Sequence, residues 1–237
     1  MRSAIVRGIG CSERCMKVAN RSRIEGLMKF KAVAWDVDGT LVDSEPLHHR
    51  ALLAVCSRYG VDLSDITESR FCGVHINDVW HILRARLPED LAQQEWLTAI
   101  EDYYIARSDE LVPIAHGKDA IVTLRNNGIR QASVSNSSRR IVEANLRTIG
   151  VLDMMEFLVT LDDVSAGKPD PEPYRLATTL FDLTPGDVLA VEDSVTGVLG
   201  ACAAGLTVVS YTQGAPLHPG SIAVKDLSNI TALVLSE

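Results

Sequence analysis

An apolar run that stops in two acids constrains this chain more than any other stretch. Residues 31–45 read KAVAWDVDGTLVDSE. Residues 32–37 have the length and β-branched content of a buried strand. Its end carries Asp36 and Asp38, one residue apart, before a turn at Gly39 and Thr40. Alternate residues of an extended strand share a face. Both carboxylates therefore leave the strand on one side, and the turn at Gly39 can swing the second around. Two acids at the mouth of a buried strand are costly without a positive partner. A divalent cation is the simplest one, and Mg²⁺ is the usual choice where carboxylates work with phosphates.

After Glu45 the pattern becomes helical. Pro46 suits a first turn. Leu47, Ala51, Leu52, Val55 and Tyr59 recur at three- and four-residue steps up to Gly60. Helices are also expected over about residues 76–87 and 89–109, with no strand between 45 and 111. From Pro113 onward strands and helices alternate. Strands are predicted over 130–135, 157–161, 188–191 and 206–211. Helices are predicted over 119–127, 138–149, 171–181, 195–204 and 226–235. Single helices between strands imply βαβ units and a parallel sheet. The expected fold class is α/β, a Rossmann-like parallel sheet core with an inserted all-α subdomain. The core would comprise residues 28–44 and 112–237, and the helical insert residues 45–111.

In such a sheet, ligands bind outside the carboxyl ends of the strands, and the polar clusters of this chain fall there. The second strand of the core ends in Ser135 and Asn136. A loop after the third carries Gly167-Lys168-Pro169. The fourth ends in Glu192 and Asp193. Ser135-Asn136 also fits a helix N-cap, a role compatible with anion binding, because a helix N-terminus presents unpaired N–H groups. Glu192-Asp193-Ser194 fits a cap as well, but two acids ending an apolar strand fit better as the second half of a metal site. A nucleophile, an acid/base, a cation and charge neutralisation are the needs of phosphoryl transfer.

Four segments carry a resemblance: D-V-D-G-T-L-V-D-S from Asp36, V-S-N-S from Val134, G-K-P-D-P-E-P-Y from Gly167 and V-E-D-S from Val191. In order and spacing they resemble the motifs of haloacid-dehalogenase-type phosphatases. The subgroup most similar is that of β-phosphoglucomutase and phosphoglycolate- or sugar-phosphatase-like proteins, which carry a helical cap after the first motif. The resemblance implies a Mg²⁺-dependent phosphatase with Asp36 as nucleophile and Asp38 as general acid/base. It implies a phosphate cradle of Gly39, Thr40, Ser135 and Asn136, with Lys168 neutralising the phosphate. Asp193 with Glu192, together with Asp36 and the Asp38 main-chain carbonyl, would hold the metal. His48 falls where the mutases carry a cap-hinge histidine and is a further candidate for the substrate site.

The match also narrows the chemistry. True dehalogenases of the family lack the second aspartate. The mutases carry a cap lysine before a glycine and an arginine three residues after it, where this chain has Cys72 and Ile76 around Gly73. Hydrolysis of a small phosphorylated metabolite is therefore expected. A phosphosugar mutase and a catalytically silent binding protein are the alternatives, and the intact set of acids counts against silence.

Charge and composition fit a small-molecule enzyme. The net charge of -8 disfavours a nucleic-acid surface, and no apolar run reaches transmembrane length. The five cysteines, Cys11, Cys15, Cys56, Cys72 and Cys202, are odd in number and mostly scattered. They read as reduced thiols in the cytoplasm. A monomer or homodimer is expected. Residues 1–27 differ from the rest: Arg2, Arg7, Arg14, Lys17, Arg21 and Arg23 face only Glu13 and Glu25. They lack the apolar centre of a secretory signal. They read as a disordered tail or as sequence upstream of a true start at Met28, with a transit peptide as the alternative.

Overall fold

The computed structural model describes residues 30–66, 71 and 76–236. The expectations for residues 1–27 and for Cys72 lie outside the described residues. Strand β1 (Ala32–Trp35) sits in the middle of a six-stranded parallel sheet. Its neighbours are β4 (Arg130–Val134), in register Ala32 with Arg130, and β6 (Val188–Glu192), in register Ala32 with Val188. The sheet runs outward through β5 (Leu158–Val159) on one side and through β7 (Thr207–Tyr211) and β8 (Ser221–Val224) on the other.

Alternation along β1 shows why this strand is central. Val33 and Trp35 enter one apolar cluster with helices α4 (Gly117–Asn126), α5 (Arg139–Thr148) and α8 (Ser228–Leu235). Ala32 and Ala34 enter another with α6 (Glu172–Phe181) and α7 (Val195–Ala203). Both faces are covered, so the strand is apolar at every position, as buried parallel strands are. The chain fills the β4 side of β1 first and then the β6 side. A crevice opens at that switch, beyond the strand ends.

Helices α1 (Glu45–Arg58), α2 (Ile76–Leu83) and α3 (Gln93–Ile105) build a third apolar cluster. The Trp80 and Trp96 rings meet in it at 5.4 Å, and Ile141 of α5 joins it from the sheet side. Two helices are shorter than the sequence pattern suggests. Helix α2 stops at Leu83, because the chain turns toward Pro88 and the Arg84 guanidinium bonds the carbonyls of Leu87, Pro88 and Glu89. Residues 89–92 belong to that turn. Short strands β2 (Val42–Asp43) and β3 (Val112–Pro113) pair antiparallel where the chain leaves for the helical block and returns. Neither this ribbon nor β8 was expected. Each is too short for a period to show, and β8 buries only its end residues, Ser221 and Val224. No helix among the described residues is long and apolar enough to cross a membrane.

Candidate active site

The turn after β1 separates the two aspartates. Val37 is fully buried and anchors the turn, and Gly39 takes φ +84°, a left-handed conformation that suits glycine. A Cβ at Gly39 would stand 2.1 Å from Asp193 Oδ2. The turn thus needs glycine twice, for its dihedral and for its approach to the second acidic strand end. Thr40, fully buried, donates its hydroxyl to Asp193 Oδ1 at 2.9 Å. It braces that acid and does not line the cleft.

Asp36 points to the α6 and α7 side. Lys168 Nζ lies 2.6 Å from Asp36 Oδ1, 2.5 Å from Glu192 Oε1 and 2.7 Å from the Val134 carbonyl. All three side chains are buried. The Lys168 loop is held to the end of β4 by Asn136, whose amide donates to the Lys168 carbonyl and accepts from its N–H. Glu192 is gripped further by the Tyr174 hydroxyl at 2.5 Å and by Ser194. A Cβ at Gly197 would fall 2.0 Å from the Glu192 carboxylate, so the first turn of α7 leaves room for that acid and for no side chain. Ser194 itself caps α7 by accepting from the Gly197 N–H. Glu192 and Asp193 are therefore not the caps.

Asp38 points the other way. Its Oδ2 accepts from Ser135 at 3.2 Å and Ser137 at 2.8 Å. Its Oδ1 accepts from Asn145 Nδ2 at 2.9 Å and faces His48 Nε2 at 3.5 Å. Burial alone would raise its pKa. His48, Ser44 and Ser137 outweigh that and bring it down to about 2. On the other side burial and the neighbouring Glu192 raise the Asp36 carboxyl against the pull of Lys168. The same causes lift Asp193 to about 6. Burial disfavours the Lys168 ammonium, but Asp36 and Glu192 overcome it, so the lysine stays charged.

The comparisons with known proteins bear on this arrangement. Residues 30–205 match the family described as haloacid dehalogenase-like hydrolase. The chain belongs to that family. Validoxylamine A 7'-phosphate phosphatase of Streptomyces hygroscopicus subsp. limoneus is 28% identical over 209 residues, which make up 85% of this chain and 96% of that protein. The plasmid phosphoglycolate phosphatase of Cupriavidus necator is 31% identical over 201 residues, 81% of this chain and 85% of that one. Among solved structures, CbbY from Rhodobacter sphaeroides in complex with phosphate superposes with a TM-score of 0.76 at 27% identity, covering 85% of this chain and 96% of that chain. Within the haloacid dehalogenase-like hydrolases, the chain is a phosphoric monoester hydrolase.

Hydrolases of this family generally use a divalent metal, and the residues present fit one. Ligand atoms of Asp36, Glu192 and Asp193 lie within 4.8 Å of one another. Asp36 Oδ2 is buried with no hydrogen-bond partner. Three carboxylates share one ammonium, an imbalance that a divalent cation would relieve. The Asp38 side chain is outside this group and bonded elsewhere.

The structure thus brings Asp36, Lys168, Glu192 and Asp193 into one cluster and Asp38, Ser135 and His48 into another beside it. His48 faces the acid Asp38 and stacks on Tyr104 at 4.4 Å between ring centroids. Sequence reasoning gave no role to Ser137, Asn145, Tyr104, Tyr174 or Gly197. Tyr174 and Ser137 lie inside the quoted motifs and could have been suspected. Asn145, Tyr104 and Gly197 sit within helices whose pattern marks them only as buried.

Proposed function

We propose that this protein is a Mg²⁺-dependent phosphatase of a small phosphorylated metabolite, a sugar or sugar-acid phosphate, acting through an aspartyl-phosphate on Asp36. The observation that carries the reading is the division of labour between the two aspartates. Asp36 stands against the ammonium and the acidic cluster, and Asp38 stands among hydroxyls, an amide and an imidazole.

In the first step Asp36 attacks phosphorus, the bond to the leaving oxygen breaks, and Asp38, ionised in the ligand-free site and protonated only once the phosphate anion is bound beside it, supplies that oxygen with a proton. In the second step water attacks phosphorus and Asp38 takes its proton, releasing phosphate and restoring the Asp36 carboxylate. Lys168 neutralises charge on the transferring group. The Ser135 hydroxyl and the N-terminal turn of α5 offer donors to its oxygens. Bound Mg²⁺ would be held by Asp36, Asp193 and the Asp38 carbonyl, with Glu192 anchoring Lys168 or joining the ligands, and would supply electrostatic stabilisation of the phosphoryl oxygens. Residues 45–111 serve as a cap over the cleft, and residues 28–44 and 112–237 as the catalytic core.

The cleft between these parts has a volume of about 1090 Å³ and is lined on the helical side by His49, Asn77, Gln93 and Gln94 alongside apolar Leu52, Phe71, Ile76 and Leu97. A phosphate alone leaves most of that space for a polyhydroxylated remainder, and amide and imidazole groups suit hydroxyls. The relatives named for validoxylamine A 7'-phosphate and phosphoglycolate support the same class. Turnover of a panel of sugar and sugar-acid phosphates, with EDTA and then with added Mg²⁺, tests the reading. EDTA should abolish phosphate release and Mg²⁺ restore it, whereas full activity without metal would remove the Mg²⁺ part. Apolar Ile76 lines the cleft where a mutase would carry arginine. With β-glucose 1-phosphate, inorganic phosphate should therefore outrun glucose 6-phosphate, and a dominant 6-phosphate product would favour the mutase instead.

A further inference from the structure

The Asp38 carboxylate is met by two kinds of partner. Its Oδ2 faces the hydroxyls of Ser135 and Ser137. Its Oδ1 faces the side-chain nitrogen of Asn145 at 2.9 Å. An amide nitrogen only donates, whereas a hydroxyl donates or accepts. A proton on Oδ1 would point at the Asn145 donor at hydrogen-bond distance, with His48 Nε2 farther off at 3.5 Å. A proton on Oδ2 meets groups that can turn to accept it.

The orientation of the Asn145 amide is set from the helical block. Asn145 is fully buried on α5, and its Oδ1 accepts from the Tyr104 hydroxyl at 2.9 Å. Tyr104, fully buried on α3, is fixed in turn by its place in the helical-block cluster and by the His48 ring stacked on it. With the amide oxygen taken by Tyr104, its nitrogen is directed at Asp38. Burial makes each of these bonds costly to lose.

We propose that Tyr104 and Asn145 are a positioning pair for the general acid. Through them the helical block reserves Oδ2 of Asp38 as the oxygen that carries the proton and holds it toward the cleft. In the first step that proton passes to the leaving oxygen as the phosphorus–oxygen bond breaks and the Asp36–phosphorus bond forms. In the second it returns to Oδ2 from the attacking water. Neither Tyr104 nor Asn145 touches the reacting atoms. The inference rests on the assignment of Asp38 as acid/base made above.

Tyr104→Phe keeps the ring and its stacking and removes only the hydroxyl, and Asn145→Ala removes the amide. The purified full chain is assayed with an alkyl phosphate and with p-nitrophenyl phosphate. The alkyl probe is glucose 6-phosphate or 2-phosphoglycolate, whichever the wild type turns over faster. An alkoxide needs the proton as it leaves, and nitrophenolate hardly does. We expect Tyr104→Phe to lower the single-turnover rate of phosphoenzyme formation from the alkyl phosphate by about 10- to 100-fold, a share of the ~10²- to 10⁴-fold that acid–base help supplies, and from the aryl phosphate by less than about threefold. Asn145→Ala should show the same split where its melting curve shows it folded. In an Asp38→Asn background, Tyr104→Phe should cost nothing further with the alkyl phosphate, because the two act as one unit.

Equal losses on both substrates in Tyr104→Phe, no loss on either, or full additivity with Asp38→Asn would overturn the proposal. Asp38→Asn alone separates the two layers. If it shows no alkyl–aryl split, the acid assignment fails and the pair fails with it. If it shows the split and Tyr104→Phe does not, only the pair fails.

Discussion

Removing either of the two aspartates should leave a different residue of chemistry. Asp36→Asn deletes the attacking oxygen, so it should be inactive toward alkyl and aryl phosphates alike. Asp38→Asn should slow phosphoenzyme formation from sugar phosphates by about 10²- to 10⁴-fold and from p-nitrophenyl phosphate much less. With the aryl substrate the second step then limits. A burst of nitrophenol and hydroxylamine-sensitive phosphate on the protein should follow. Equal losses and no burst would leave Asp38 a purely structural role. Gly197 makes a second test at this scale. Its missing side chain leaves the space that the Glu192 carboxylate occupies. Gly197→Ala should displace Glu192 and with it the buried ammonium of Lys168. A loss of about 2 kcal/mol or more in stability is expected, with turnover falling at least about tenfold. A variant with wild-type melting and turnover would show that Glu192 has somewhere else to go.

Helix α5 meets the helical block in two chemically different ways. Its Arg140 pairs with Glu101 at 2.9 Å and Asp102 at 2.7 Å on α3. Its Ile141 is buried in the block's apolar cluster. The Arg140 side chain is 51% exposed, so water and salt screen its pairs and they are worth at most about 1 kcal/mol. A buried isoleucine cut to alanine costs about 2–5 kcal/mol. Urea unfolding should therefore find Arg140→Ala close to wild type and Ile141→Ala clearly less stable. The reverse order would mean that ion pairs hold the block in place. The ribbon of β2 and β3 belongs to the same scale. It ties the two crossings of the chain together beside Asp38, and the Asp38–Val42 bridge joins it to the active-site turn.

For the molecule as a whole, metal and protons compete for the same acids. Asp193 has its pKa raised to about 6. Between the ordinary carboxylate range and that value, the metal-free folded state binds more protons than the unfolded one. Its stability therefore falls as pH rises through that window. A cation meets an Asp193 that is mostly ionised at pH 7 and mostly protonated at pH 5, where it must displace the proton. The rise in Tm on adding Mg²⁺ should be clearly larger at pH 7 than at pH 5. An equal rise at both, or none, would place the cation away from Asp193. Ca²⁺ should inhibit turnover, because its longer bonds and looser geometry misplace the nucleophile.

Reading along the chain gives most of the order of strands and helices and the strand ends where Asp36, Ser135, Lys168, Glu192 and Asp193 gather. Those features are written in short-range patterns: apolar periods, turn residues, and acids following apolar runs. That Asp36 and Asp38, one residue apart, face opposite partners is set by long-range packing, since the turn at Gly39 is shaped by its contact with Asp193. Tertiary contact likewise placed Tyr174 on Glu192 and joined Asn145 to Tyr104. It also completed the sheet with β8, whose residues carry no legible period. A side-chain bond between two helices follows from where their faces come to rest, and no local pattern encodes that.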